Sequence, residues 1–373
     1  MEHILLAILS LTLFIACGSS KEREMDFSQI KISMDTVMVD AKNEILFFRY
    51  NVSLSDFSKN KEYLYNFSLN DHSIEIIDMN TLEFVERILF EKEGPNGVGE
   101  YVGTIQLIGE ESFFITSFEA KGIYDFKGKK IKNLNQNTEG FDAAFFGNTK
   151  QFFNAATGLL MGDYADWETG KKFLGLADTE QKTFKRNALE KFDFLENYST
   201  WLVSESGGKL AQSGHWTIPN FLNDKVIIST NITSDFYVYD LRKDSLSFIK
   251  IEHKLFPKTK SGKFPKQTNS AEEFKAIRKN YLKGINFDPP FWDKENKVYY
   301  RFSYTYPDSE AENPPATVYL TILDEFFQIL SETEVSILNK RPSYHFAKDG
   351  KIWMFENIDD EMGFVRLNLK VIP

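Results

Sequence analysis

Few side chains in this sequence are suited to chemistry. Among 373 residues there are five histidines and one cysteine. Beyond His3 at the N-terminus stand His72, His215, His253 and His345. His72 falls in a turn and His253 at the end of a strand, so both are expected at the surface. His215, in Gly214-His215-Trp216, and His345, in Ser343-Tyr344-His345-Phe346, fall near the predicted starts of strands. No histidine pair at helical spacing, Gly-x-Ser-x-Gly elbow, EF-hand loop or Walker motif is present. Oxygen donors of the kind calcium takes occur between strands at Asn96, Asp142, Asn220, Asp288 and Asn339. Loops need Asn and Asp for their turns anyway, so calcium is the lesser expectation, and no catalytic, cofactor or metal residue is assigned. The residues expected on a ligand-facing surface are His215, Trp216, His345, Asn96, Asp142 and Trp292.

The cysteine is placed for a different chemistry. Ile4 to Ala16 is an unbroken apolar or small stretch ending in Phe14-Ile15-Ala16-Cys17-Gly18-Ser19-Ser20. That is too short to span a bilayer, which takes roughly 20 apolar residues, and fits the apolar region of a signal peptide. The segment resembles the lipobox of bacterial lipoproteins, in which the cysteine is lipidated and becomes the new N-terminus. It departs from that pattern in having no Lys or Arg before the apolar run, and in Phe14, where Leu or Val is more usual. The alternatives are an ordinary cleaved signal and an uncleaved anchor. The expectation is a signal peptide over 1–16, lipid on Cys17, a tether over 17–27 and one domain over 28–373, with the membrane as a partner through the lipid. With Cys17 so used, no disulfide or thiol chemistry remains. The net charge of -10 argues against nucleic acid or an anionic membrane surface as a partner.

The elements that must position any site are legible as a repeat. A strand ending in Asp, a short polar turn and a second strand recur. The copies end their first strands at Asp78, Asp125, Asp178, Asp240 and Asp324. Before Asp125 and Asp240 lie two further alternating runs, Tyr101 to Ile108 with Ser112 to Phe118, and Trp216 to Leu222 with Lys225 to Thr230. The repeating unit is therefore four short strands, which is a propeller blade. A sixth unit, Ser343 to Ala347, Lys351 to Glu356 and Gly363 to Leu369, lacks one strand, and Ile30 to Val39 is the spare. Supplying it would close the ring and remove exposed edges. The expected fold is all-β, a six-bladed β-propeller closed by an N-terminal strand. The 35 Phe, 16 Tyr and 5 Trp suit the wedges between blades.

One stretch breaks the pattern. Ser270-Ala271-Glu272-Glu273 reads as a capping box, and Phe274, Ile277, Leu282 and Ile285 recur at roughly helical spacing up to a stop at Gly284. This helix follows a loop carrying Lys258, Lys260, Lys263 and Lys266, and the two make a helical insert over about 255–286, between blades four and five. It is a candidate lid or docking surface, and more plainly a solvated basic excursion with its helix packed on the rim.

The lipoprotein start, the turn at Ile77-Asp78-Met79-Asn80-Thr81 and the connector Glu93-Gly94-Pro95-Asn96-Gly97-Val98-Gly99 together resemble the six-bladed-propeller lipoproteins of unknown function found in Bacteroidetes. That resemblance implies an outer-membrane lipoprotein, on either its periplasmic or its surface side, and no known activity. Under that address, Asp35-Thr36-Val37 and Asp244-Ser245-Leu246 look like O-glycan acceptor sites. The expected function is a non-catalytic platform for a protein or glycan. The alternative is a propeller enzyme with an axial calcium or quinone site, similar to lactonases or sugar dehydrogenases.

Overall fold

The computed structural model describes residue 27 and residues 29–135, 141–166, 168–222, 224–307 and 314–371. The expected signal peptide, Cys17 and nearly all of the tether lie outside the described residues. Among the described residues no helix is long and apolar enough to cross a membrane.

The chain is all-β and propeller-like, built of consecutive antiparallel sheets. The first holds Ser55–Phe57, Tyr63–Ser68, Ser73–Asp78 and Glu83–Leu89. The second holds Thr104–Ile108, Ser112–Thr116, Lys121–Asp125 and Lys130–Asn133. The third holds Phe152–Asn154, Leu159–Ala165, Lys172–Asp178 and Thr183–Ala188. The fourth holds Thr217–Leu222, Lys225–Thr230, Phe236–Asp240 and Ser245–Ile249. The fifth holds Val298–Tyr306, Thr317–Leu323 and Ile329–Glu334, with an inner strand split into Gly284–Phe287 and Phe291–Asp293. Pro289-Pro290 makes the split, since proline has no N–H for the ladder, whereas Asp288 N still donates to Phe302 O at 3.0 Å.

The last sheet takes His345–Lys348, Lys351–Ile358 and Glu361–Val371 from the C-terminus and Ile30–Met38 from the N-terminus. Ile30 lies opposite Val371 and Met38 opposite Gly363. Asp35 accepts from Arg366 Nε at 2.5 Å, so the first of the two acceptor-like triplets lies within a paired strand. The second lies at a turn, where Asp244 has a φ of 48° and accepts from Lys185 at 2.5 Å.

The repeated aspartates explain themselves in the turns. Asp78 Oδ1 accepts from the N–H groups of Asn80 and Thr81, Asp125 from Lys127 and Lys129, and Asp178 from Glu180 and Gln181. Asp240 accepts from Arg242 and Lys243, and Asp324 from Phe326 and Gln328. One carboxylate thus satisfies two turn amides before the chain reverses.

Apolar residues on both faces of each sheet pack against its neighbours. In the first sheet Ile74 and Ile76 meet Phe113 and Ile115 of the second, whereas Leu64 and Ile77 meet Trp353 and Phe364 of the last. Phe114 and Ile123 meet Leu160 and Ala177 of the third sheet, and Met161 and Leu174 meet Val226 and Tyr239 of the fourth. Ile227 and Val238 meet Tyr299 and Leu323 of the fifth, and Tyr300 and Phe302 meet Ile352 and Leu367 of the last.

The long connections hold what the repeat did not foretell. Glu190–Tyr198 forms a 3-10 helix. Ser199–Val203 and Lys209–Gly214 form a ribbon to which Gln267–Thr268 adds a parallel strand. The expected helix spans Ala271–Leu282. Its Ser270 cap accepts from Glu273 N at 3.2 Å, but Glu273 does not reach back to Ser270. Glu273 accepts from Thr268 Oγ1 at 2.5 Å, and Thr268 Oγ1 accepts from Ser270 N at 3.1 Å. Phe274 and Tyr281 are its buried anchors, whereas Leu282 is exposed and Ile285 is buried as a strand residue. The preceding loop is not uniformly solvated, because Lys260 is buried. Its ammonium donates to Lys283 O at 3.1 Å and lies 5.3 Å from the centroid of the Tyr281 ring. Burial pushes the Lys260 amine down to about 7.

Candidate functional site

In a four-stranded antiparallel sheet, the turn after the second strand and the connection leaving the fourth emerge at the same end. Connections 39–54 and 90–103, the turn 69–72 and the turn 359–360 therefore share the connector end of their sheets. At that end lies an open hollow of about 460 Å³, lined by Leu46, Phe47, Phe48, Arg49, Asn51, Asn70 and Asn357. The volume is within the range of small-molecule sites.

A buried carboxylate holds the wall of this hollow. Both oxygens of Glu75 accept from Phe47 N, at 3.0 and 3.1 Å. Asn66 Nδ2 donates to Glu75 at 2.9 Å and to Phe47 O, and Arg87 donates to Glu75, Glu44 and Ile45 O. Burial pushes the Glu75 carboxyl up, against the opposing pull of these hydrogen bonds. Asn51 and Val52 follow with φ of 53° and 50°. That conformation suits Asn but strains a β-branched residue. Arg49 lies 5.9 Å from the centroid of the Tyr50 ring.

A second place where ionisable groups meet is buried at the junction of the fifth and last sheets. Asp288 accepts from Arg341 at 3.4 Å, and its other oxygen, Oδ2, has no hydrogen-bond partner in the structure. His345 packs its ring 4.7 Å from Phe291 and 5.1 Å from Phe302, centroid to centroid. Its Nδ1 lies 2.7 Å from Ser343 O, so in the neutral ring Nδ1–H donates and Nε2 keeps the lone pair. Burial pushes the imidazole down and the Asp288 carboxyl up, while the attraction between the two opposes both shifts. Arg301, fully buried, donates to the carbonyls of Asp288 and Ser234, and burial lowers its guanidinium to about 9. It ties the connection after the fourth sheet's second strand to the fifth sheet.

The other expected ligand-face residues are engaged one by one. His215 sits against Ser199 Oγ at 2.9 Å and Glu196 at 3.6 Å, while Lys172 holds that same glutamate oxygen at 3.0 Å. Burial, helped by Lys172, pushes the His215 imidazole down to about 4, so at neutral pH this is no ion pair. Trp216 is 38% exposed and donates its backbone N–H to Asn231. Trp292 packs on Tyr299 at 4.7 Å. Asn96 accepts from Lys130 N, Asp142 caps the short helix Ala143–Phe146, and Asn220 donates to Pro290 O. These partners are separate, and among the described residues no hydrogen bond or ion pair joins one of these six residues to another. Among the described residues no three His, Asp or Glu side chains gather closely enough to hold a metal.

Two histidines expected at the surface are buried. His72 contacts Glu100 O at 3.2 Å, and His253 is enclosed with Glu332, to which its Nδ1 is bonded. Glu75, Arg301, Arg341 and the residues of the hollow are not among the sequence expectations. A charged residue inside an apolar alternation, as in Ile74-Glu75-Ile76 and Tyr300-Arg301-Phe302, was the signal available for two of them.

The solved structures similar to this chain include a DUF4221 member from Bacteroides vulgatus. It has a TM-score of 0.65 and 15% identity, with 92% of this chain and 99% of that one covered. A putative exported protein from Bacteroides fragilis has a TM-score of 0.51 and 10% identity, covering 91% and 95%. The WD40 domain of Toxoplasma gondii coronin has a TM-score of 0.39 and 10% identity, covering 94% and 79%. No curated protein matches the sequence. The model of a domain of unknown function, DUF4221, matches residues 27–334, and the chain belongs to that family.

Proposed function

We propose that this protein is a non-catalytic binding protein, carried on the outer membrane by lipid on Cys17, that takes a protein or glycan at the connector end of a closed six-bladed ring. The observation that carries the binding reading is the hollow at Leu46–Asn51, Asn70 and Asn357. It joins half-buried aromatic rings to exposed amides on a wall fixed from below. Apolar side chains exposed on connections and turns at the same end, Ile45, Tyr50, Tyr101 and Phe118, extend it into a surface a larger partner would cover. For the ring, the support is the pairing of Ile30–Met38 with Glu361–Val371 and the shared core between last and first sheets.

The test is an array of glycans and envelope proteins probed with the full chain and with Tyr50→Ala and Arg49→Gln variants. Saturable binding weakened by these variants, with ligand recovered chemically unchanged, is the expected result. Turnover of a bound ligand would overturn it. Intact mass of the membrane-extracted protein tests the anchor, which requires cleavage before Cys17 and added acyl mass.

A second reading, an enzyme, has one observation in its favour. Asp288 Oδ2 is a buried, unpartnered carboxylate oxygen, and the imidazole of His345 is close enough to shift the Asp288 carboxyl electrostatically. On that reading Asp288→Asn abolishes turnover while leaving ligand binding intact.

A further inference from the structure

We infer that the hollow at Leu46–Asn51, Asn70 and Asn357 is a saccharide site, and that the saccharide it takes is uncharged. This rests on the binding reading above and adds the ligand's chemical class.

The lining is rich in primary amides. Asn51, Asn70 and Asn357 are all exposed at its wall. Among the described residues, the amides of Asn51 and Asn70 make no intramolecular hydrogen bond. Asn357 uses only its Oδ1, which accepts from Asp360 N at 3.0 Å, so its NH₂ group remains to donate. Each amide offers a donor and an acceptor side by side, the pairing that neighbouring sugar hydroxyls match because each is itself donor and acceptor. Phe47 and Phe48, half-buried, supply the flat apolar faces that the C–H side of a pyranose ring covers. Leu46, the third apolar residue of the lining, is buried.

Charge excludes the acidic sugars. Arg49 is the one cation in the lining. The exposed carboxylates of Asp359 and Asp360 follow in the turn two and three positions after Asn357. Glu44 and Asp71 lie nearby on Arg87, at 2.8 and 3.7 Å. The chain as a whole carries a net charge of -10. An anionic ligand would meet repulsion here, whereas a hydroxyl accepts from a guanidinium and donates to a carboxylate without it.

Preorganisation is the other requirement for a shallow polar site, since ordering a loose loop would consume the gain. Here the two oxygens of Glu75 fix Phe47 N, and Asn66 and Arg87 fix Phe47 O and Ile45 O. The strained φ at Val52 is held against a core that includes Leu64 and Phe355.

The experiment is calorimetric titration of the full chain with hexasaccharides of α-glucan, β-glucan, mannan and xylan, and with a hexuronate. The expected result is saturable binding of at least one neutral oligomer, unchanged within about twofold between low and high salt. Asn70→Ala and Asn357→Ala should each weaken it about fivefold, the worth of one hydrogen bond, and Asn70→Ala, which breaks no internal bond, should leave thermal unfolding unchanged. No saturable binding by any of the four neutral oligomers overturns the inference. So does a preference for the hexuronate, or neutral binding indifferent to both amide substitutions. Cleavage of a bound oligomer would instead contradict the non-catalytic reading and leave the site standing.

Discussion

Two buried ionisable groups make opposite demands on the fold as pH changes. The folded state keeps His215 neutral down to about pH 4, against about 6.5 for a free imidazole. Between those values the unfolded chain binds more protons, so this contribution rises with pH and is lost on acidification, by up to about 3 kcal/mol. Asp56 is the reverse case. Burial raises its carboxyl from 3.8 to about 6, although the N–H groups of Leu107 and Phe57 donate to it. Across that window the folded state holds the extra proton, so stability falls as pH rises, again by about 3 kcal/mol. The two windows overlap and their slopes cancel. Urea unfolding from pH 4 to 7 should therefore show a rising slope in Asp56→Asn and a falling one in His215→Gln. Parallel slopes in the two variants would contradict these environments. Neither environment was readable beforehand, because Leu107 and Glu196 reach these side chains through tertiary contacts. The same holds for His253, whose partner Glu332 is 79 positions away.

At the scale of elements, the most legible feature was the most local one. Each of the repeated aspartates bonds amides within four residues, so its turn is written in adjacent sequence. Asp178→Ala removes two such bonds and should cost about 1 kcal/mol by denaturant unfolding. Ser270→Ala should cost a similar amount through loss of the helix cap. The ribbon Ser199–Val203 with Lys209–Gly214 went unread because Lys209 to Gln212 are exposed, leaving no alternation to see. Its third strand comes from residues 267–268, a parallel pairing that no local period encodes. The helix matches its expected place, but its buried face lies one residue away, at Tyr281 rather than Leu282, because Tyr281 gains tertiary partners: Asn231 donates to its hydroxyl, and Lys260 and Phe264 meet its ring. Gly214 is the tightest joint of this region. With φ of 143°, a Cβ there would lie 2.1 Å from Tyr198 O. Gly214→Ala should therefore displace the ribbon and lower the melting temperature by several degrees, more than Gly207→Ala, where a φ of 82° strains the backbone but nothing lies near.

For the whole molecule, the hollow is a product of long-range topology. Asn357 lies some 300 positions from Asn51 in sequence, and the two share one wall because the N-terminal strand pairs with the C-terminal one. That distance is why the four-strand repeat could be read in sequence and the site could not. If this seam positions the site, Thr36→Pro, which breaks the ladder opposite Val365, should weaken ligand binding as well as stability. Hydrogen exchange of the full chain, with and without a bound neutral oligosaccharide, locates the ligand on the molecule. Ligand-dependent protection is expected only at residues 44–52, 69–72 and 357–361. Protection at 286–291 and 341–347 instead, around Asp288 and His345, would contradict that location.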